Sequence, residues 1–147
     1  MRKIALILLI ASAISQAKDN GLPHWYDSKR DALTDLSTAT DIANGRKILA
    51  IVGGDWCSWC HTMEKYFKNN PDFYQQLNKT FVVLKVNYSE DNYNQAFFEK
   101  YPPVKGYPHF IILDSNKKYL GMQNTGDLES GKGYSDKAMM AFINKWK

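Results

Sequence analysis

Apolar positions recur at helical spacing from Ala32 through Leu36 and Ala39 to Ala43, and Asn44-Gly45 supplies a left-handed stop. The pattern then changes. Ile48-Leu49-Ala50-Ile51-Val52 is an unbroken apolar run with β-branched members, which predicts a strand buried on both faces. Gly53-Gly54 ends it, and beyond Cys57 a helical face of Met63, Tyr66 and Phe67 runs to Asn69-Asn70-Pro71. Pro71 opens a further short helix with Phe73 and Leu77, before a second buried strand, Phe81-Val82-Val83-Leu84-Lys85-Val86. Tyr93, Ala96, Phe97 and Tyr101 predict another helix, stopped by Pro102-Pro103. A strand through Phe110-Ile111-Ile112-Leu113, a turn at Asp114-Ser115-Asn116-Lys117 and a strand from Tyr119 to Met122 read as a hairpin. The glycines and polar residues between Gly121 and Gly133 predict a long loop. A final helix spans roughly Ser135 to Trp146, with Met139, Phe142, Ile143 and Trp146 on one side. The alternation predicts an α/β fold without internal repeats.

At 147 residues and 44% hydrophobic content, the chain suits one domain with a sizeable core. Its first residues have the parts of a secretory signal: basic Arg2-Lys3, an apolar stretch from Ile4 to Ala11, and small Ser15 and Ala17. Cleavage after Ala17 is expected, leaving residues 18–147 as the domain, with no stable membrane insertion afterwards. The alternative, an uncleaved anchor, is opposed by a stretch shorter than the ~20 residues a spanning helix needs. No cysteine adjoins the cleavage site to take a lipid. Loss of Arg2 and Lys3 takes two positive charges from the net +4, and the remaining lysines, Lys117-Lys118 apart, are scattered, which does not suggest nucleic acid.

The chemistry lies in Trp56-Cys57-Ser58-Trp59-Cys60-His61, which holds both cysteines of the chain. An exported protein with two closely spaced cysteines has no disulfide framework, so the pair reads as a working pair. A helix starting near Cys57 would set its sulfur over unpaired amides and the positive end of the dipole, which favours thiolate. Cys60 follows one turn later, within reach of a disulfide.

The order of elements and these residues resemble the thioredoxin fold over residues 25 to 147. Trp56-Cys57-x-x-Cys60 is similar to that family's active-site motif, Lys85-Val86-Asn87 to the end of its next central strand, and Gly106-Tyr107-Pro108 to its cis-proline segment. Gly54-Asp55-Trp56-Cys57-Ser58-Trp59-Cys60-His61, after Asn44-Gly45-Arg46-Lys47, more closely resembles exported thioredoxin-like proteins related to bacterial disulfide reductases and isomerases. The resemblance implies a central mixed sheet flanked by helices with an extra N-terminal helix. It implies thiol-disulfide exchange with protein substrates, Cys57 attacking and Cys60 resolving, with an upstream redox partner and no metal or other cofactor. Trp56, Trp59 and Tyr107 would ring the cysteines with aromatic surface, Ser58 lies between them, and Pro108, if cis, would bring its backbone beside them. Trp56 as core support is the other reading.

Two departures stand out. The family's buried aspartate is replaced by Ile51, leaving Lys85 expected to lack its partner, with Asp55 and Glu64 as substitutes or as plain surface residues. Tyr107 precedes the proline where a small or β-branched residue is usual. His61, if protonated, would stabilise thiolate; otherwise it packs on the helix. Ile51 and His61 together predict a less reducing pair than that of cytosolic thioredoxin. Trp25, Tyr26 and the remaining tyrosines are assigned no chemistry. Three rivals are weighed: c-type haem attachment at Cys57-Ser58-Trp59-Cys60-His61, a zinc site that adds His109, and a non-catalytic chaperone or adaptor. The expected setting is the periplasm or another oxidising compartment, the C-terminal Asn144-Lys145-Trp146-Lys147 lacking a KDEL-type signal, and the expected state is a monomer.

Overall fold

The computed structural model describes residues 25–147, so the expected signal segment, residues 1–17, lies outside the described residues. Helix α1 (Ala32–Asp41) begins where Asp31 accepts from the Thr34 amide, and the chain turns back through left-handed Asn44 and Gly45. Strand β1 (Lys47–Gly53) follows, then α2 (Ser58–Asn69) and α3 (Pro71–Thr80), with Pro71 in the first turn, where a missing amide proton costs nothing. Strand β2 (Phe81–Asn87) leads to a four-residue helix, α4 (Gln95–Phe98). Strands β3 (His109–Leu113) and β4 (Tyr119–Asn124) form the expected hairpin. A 3-10 turn (Thr125–Leu128), short strands β5 (Glu129–Ser130) and β6 (Gly133–Tyr134), and α5 (Asp136–Trp146) complete the chain.

The main sheet runs β2-β1-β3-β4, with β1 parallel to β2 and antiparallel to β3. Beyond their first residues, Lys47 and His109, the central strands β1 and β3 carry no polar side chain, because helices cover both faces. Leu49, Ile51, Val83, Phe110 and Ile112 pack on one side under α2, α3 and α5, while Ile48, Ala50, Val52, Ile111 and Leu113 pack on the other under α1 and α4. This is the mixed, helix-flanked sheet with an N-terminal helix that the resemblance implies. No helix among the described residues is long and apolar enough to cross a membrane.

Two expectations are corrected. The segment from Gly121 to Gly133 is not a loop. Gly121 sits inside β4 opposite Ile112 because the Trp146 ring lies where a side chain would go: an added Cβ would be 2.9 Å from it. The remainder forms the 3-10 turn, with Asn124 Oδ1 accepting from the Gly126 amide, and the β5–β6 hairpin, which turns at left-handed Gly131. The helix predicted from Tyr93 to Tyr101 is reduced to α4. Asn94 is left-handed, donates to the Asn87 carbonyl and accepts from the Ala32 amide, and Asn92 donates to the Ser28 and Arg30 carbonyls. Side-chain bonds of this kind compete with helix formation, so Tyr93 stays outside it.

Candidate active site

The site grows from the end of β1. A turn closed by the Cys57 amide on the Gly54 carbonyl (3.1 Å) delivers Cys57 as the N-cap of α2, in extended conformation. Its Sγ accepts from the Cys60 amide at 3.1 Å, doing with sulfur what a capping oxygen usually does. The same amide and the helix dipole would stabilise negative charge on that atom. Cys60, one turn on, is joined to Cys57 in a disulfide with the Cα atoms 5.2 Å apart. Both are buried, Cys57 at 5% exposure and Cys60 at 1%, so the first cysteine is the more exposed of the two.

Across from the pair, the Tyr107-Pro108 peptide bond is cis and leads directly into β3. Buried Thr125 donates its hydroxyl to the Pro108 carbonyl at 2.5 Å, which secures this segment from the 3-10 turn. Tyr107 packs on the cluster of Tyr26, Cys57 and Cys60, stacks on Tyr88 (5.2 Å) and meets the edge of Trp56 (5.3 Å). Burial first, then the neighbouring Tyr88, pushes its hydroxyl up to about 12. Trp56 is 56% exposed, which removes the core-support reading; its Nε1 donates to the Tyr88 carbonyl at 2.7 Å. Trp56, Tyr88 and Tyr93 line a cleft of about 570 Å³ that also carries Asp55, Glu90 and Asp91. Tyr88 and Tyr93 join the site only through this packing; periodicity reads Tyr93 as a helix position and marks neither residue for the site.

The other predicted residues are placed less centrally. Ser58 is exposed at the first turn of α2, and Trp59 lies edge-on to Tyr134 (5.6 Å). His61 is exposed, and its Nε2 donates to the Asp55 carbonyl at 2.7 Å, tying the ring across the start of the helix. Ile51 is wholly buried beside Lys85 in register. Lys85 is not left without a partner, because its ammonium lies 4.3 Å from the centre of the Trp25 ring. Asp55 is exposed and Glu64 pairs with Lys68 (3.0 Å), so both sit as surface residues. Among the described residues, no three His, Cys, Asp or Glu side chains gather as metal ligands. Tyr26, assigned no chemistry from the sequence, belongs with the two cysteines in the small buried cluster. It lies in irregular chain before α1, where no pattern could signal it.

Comparison with known proteins agrees with this arrangement. A disulphide isomerase from Xylella fastidiosa Temecula1 superposes with a TM-score of 0.69 at 25% identity, covering 85% of this chain and 96% of that one. The oxidised C-terminal domain of Neisseria meningitidis DsbD shares the fold, with a TM-score of 0.55 at 15% identity over 84% of this chain and 98% of that one. In sequence, the chain is 28% identical over 108 residues to the thiol:disulfide interchange protein DsbD of Haemophilus ducreyi, matching 74% of this chain. It spans only about a fifth of that relative, 19% of its length. The thioredoxin-like family model matches residues 31–115, from the cap of α1 through the cysteine pair and the cis proline into the turn after β3. With the site in that frame, the chain belongs to the thioredoxin-like family.

Proposed function

We propose that this protein is an exported thiol-disulfide oxidoreductase that acts on protein substrates as a reductase or isomerase. The observation that carries the reading is the Cys57 sulfur at the N-cap of α2, accepting the Cys60 amide while bonded to Cys60. The names of the relatives, interchange proteins and a disulphide isomerase, point to the same chemistry.

In the reduced protein the Cys57 thiolate attacks one sulfur of a substrate disulfide in line. A Cys57–substrate bond forms, and the other substrate sulfur leaves as a thiolate that takes up a proton. Cys60, having given up its proton, then attacks Cys57, which closes the intramolecular disulfide and frees the second substrate thiol. Two electrons pass to the substrate, and an upstream dithiol restores the pair by the reverse steps. A free thiol near ~8.5 is only a few per cent ionised at neutral pH, and a helix N-terminus can bring it to between ~3.5 and 7.5. The face built by Trp56, Tyr107 and the cis Pro108, with Ser58, Trp59 and His61 on the helix beside it, would receive an extended peptide.

The amino-terminal pattern of Arg2-Lys3, the apolar stretch to Ala11 and small Ala17 supports export to a periplasm or other oxidising compartment. The working form is proposed as a monomer. The test is equilibration of the Cys57–Cys60 pair in glutathione buffers, with a Cys60→Ser variant exposed to a disulfide-containing protein. A pair that titrates, at a potential above thioredoxin's ~−270 mV, and a variant that accumulates a mixed disulfide through Cys57 are expected. A pair that does not titrate would overturn the reading, and full biological activity of Cys57→Ser would move it to a binding role.

A further inference from the structure

Gly53 closes β1 just before the turn that carries the cysteines. A Cβ built on it would lie 2.5 Å from Cys60 Sγ and 2.7 Å from Tyr26 Oη, so both atoms press on space that only glycine leaves open. Tyr26 is 8% exposed and shares a buried cluster with Cys57 and Cys60. Its hydroxyl has no hydrogen-bond partner among the described residues. A buried donor left unsatisfied is costly, and one kept at a reacting pair needs an explanation. A disulfide sulfur is a poor acceptor, whereas a thiolate is a charged one. Ile51, on the same strand two residues earlier, has no polar atom to offer.

We propose that the Tyr26 hydroxyl is a redox-dependent donor to Cys60: unpartnered while the disulfide is closed, it donates a hydrogen bond to the Cys60 sulfur when the pair opens. The proposal rests on the exchange reading for Cys57 and Cys60. When an incoming thiolate attacks Cys57 Sγ, a new S–S bond forms there as the Cys57–Cys60 bond breaks. The electron pair of the broken bond leaves on Cys60 as a thiolate, which Tyr26 then stabilises without giving up its proton. The donor's second thiolate next attacks the mixed disulfide, so the donor leaves oxidised and the pair stays reduced. In the opposite direction, the same hydrogen bond keeps Cys60 ionised for its attack on a Cys57–substrate disulfide.

Burial, reinforced by Tyr134, Asp55 and Glu64, holds the Tyr26 phenol far above its ordinary range, so it acts as a donor and not as a base. The other titratable groups around this corner are Cys57, His61 tied to the Asp55 carbonyl, and Lys85 over the Trp25 ring. None of them places a hydrogen-bond donor on the Tyr26 oxygen.

The test removes the hydroxyl and keeps the ring. In a full-length Cys57→Ser background, where Cys60 titrates alone, thiolate ultraviolet absorbance is followed against pH with and without Tyr26→Phe. We expect the Cys60 titration to move up by about one unit, a roughly tenfold loss of thiolate below its midpoint. With both cysteines present, Tyr26→Phe should shift the glutathione equilibrium about tenfold toward the disulfide, or ~30 mV more reducing. Unchanged titration and unchanged potential would overturn the proposal. The Cys60 titration does not depend on exchange, so a wild-type pair inert to glutathione would sink the exchange reading separately. If Tyr26→Phe does not fold, the wild-type Tyr26 hydroxyl proton is compared by NMR in the two redox states. A downfield move and slower exchange on reduction are expected, and an unchanged signal would refute the hydrogen bond.

Discussion

Cys57 caps a helix with its own sulfur, so one residue both starts α2 and holds the atom whose charge α2 favours. Around it, single side chains are placed by contacts distant in sequence: Trp56 by the Tyr88 carbonyl, Pro108 by Thr125, and Lys85 by Trp25. His109, next to the cis proline, is 7% exposed, its Nδ1 has no hydrogen-bond partner among the described residues, and burial holds its pKa below the ordinary value. Desolvation of the charged form is the larger cause, and the charge of Asp127 opposes it. The sign follows from linkage. Below the ordinary ~6.5 the unfolded chain takes up a proton that the folded protein resists, so stability is full above ~6.5 and is lost as pH falls through the lower folded value. We expect urea midpoints to fall on acidification across this window, and His109→Leu to flatten that part of the slope. An equal slope in both proteins would show that His109 is not the group responsible.

At the scale of elements, caps explain where helices start, and side-chain bonds explain where one fails to extend. Ser135 caps α5 by accepting from the Ala138 amide at 3.2 Å, while its own amide donates to the Leu128 carbonyl. Ser135→Ala removes the first bond and keeps the second. It should cost about 1 kcal/mol, seen as a lower urea midpoint at unchanged slope. An unchanged midpoint would mean that the cap contributes nothing. Long periodic elements were legible from the sequence: α1, β1, α2, α3, β2, β3 and α5 lie within a residue or two of expectation. The segment after Gly121 was not, because glycine there answers to the Trp146 ring and not to a turn. Nor was the shortness of α4, since Asn92 and Asn94 are fastened to Ser28, Arg30, Ala32 and Asn87, contacts that no local window contains.

The whole molecule separates support from chemistry. On the α5 side of the sheet, Phe142 stacks on Phe81 (5.7 Å) and packs against Phe110 (5.1 Å), within the cluster that holds Leu49 and Ile112. Phe142→Ala leaves a cavity there and should cost ~3–5 kcal/mol by urea unfolding. The glutathione equilibrium constant of the folded variant should stay as in the wild type, because Phe142 lies outside the cysteine cluster, which meets its own cluster through Trp25 and Trp59. A changed constant would show that the two regions are coupled. By itself the sequence determined the α/β order and the pair Cys57 and Cys60 at a helix start, since periodicity and capping act between near neighbours, while Gly106-Tyr107-Pro108 was legible only through its resemblance to a family segment. Only the tertiary structure decided that Trp56 is exposed, that Lys85 lies over Trp25, that Tyr88 and Tyr93 flank the site, and that Tyr26 faces Cys60 across Gly53. Those outcomes depend on which residues meet when strands pair and helices pack, and a side chain's partners across such distances leave no period in the chain.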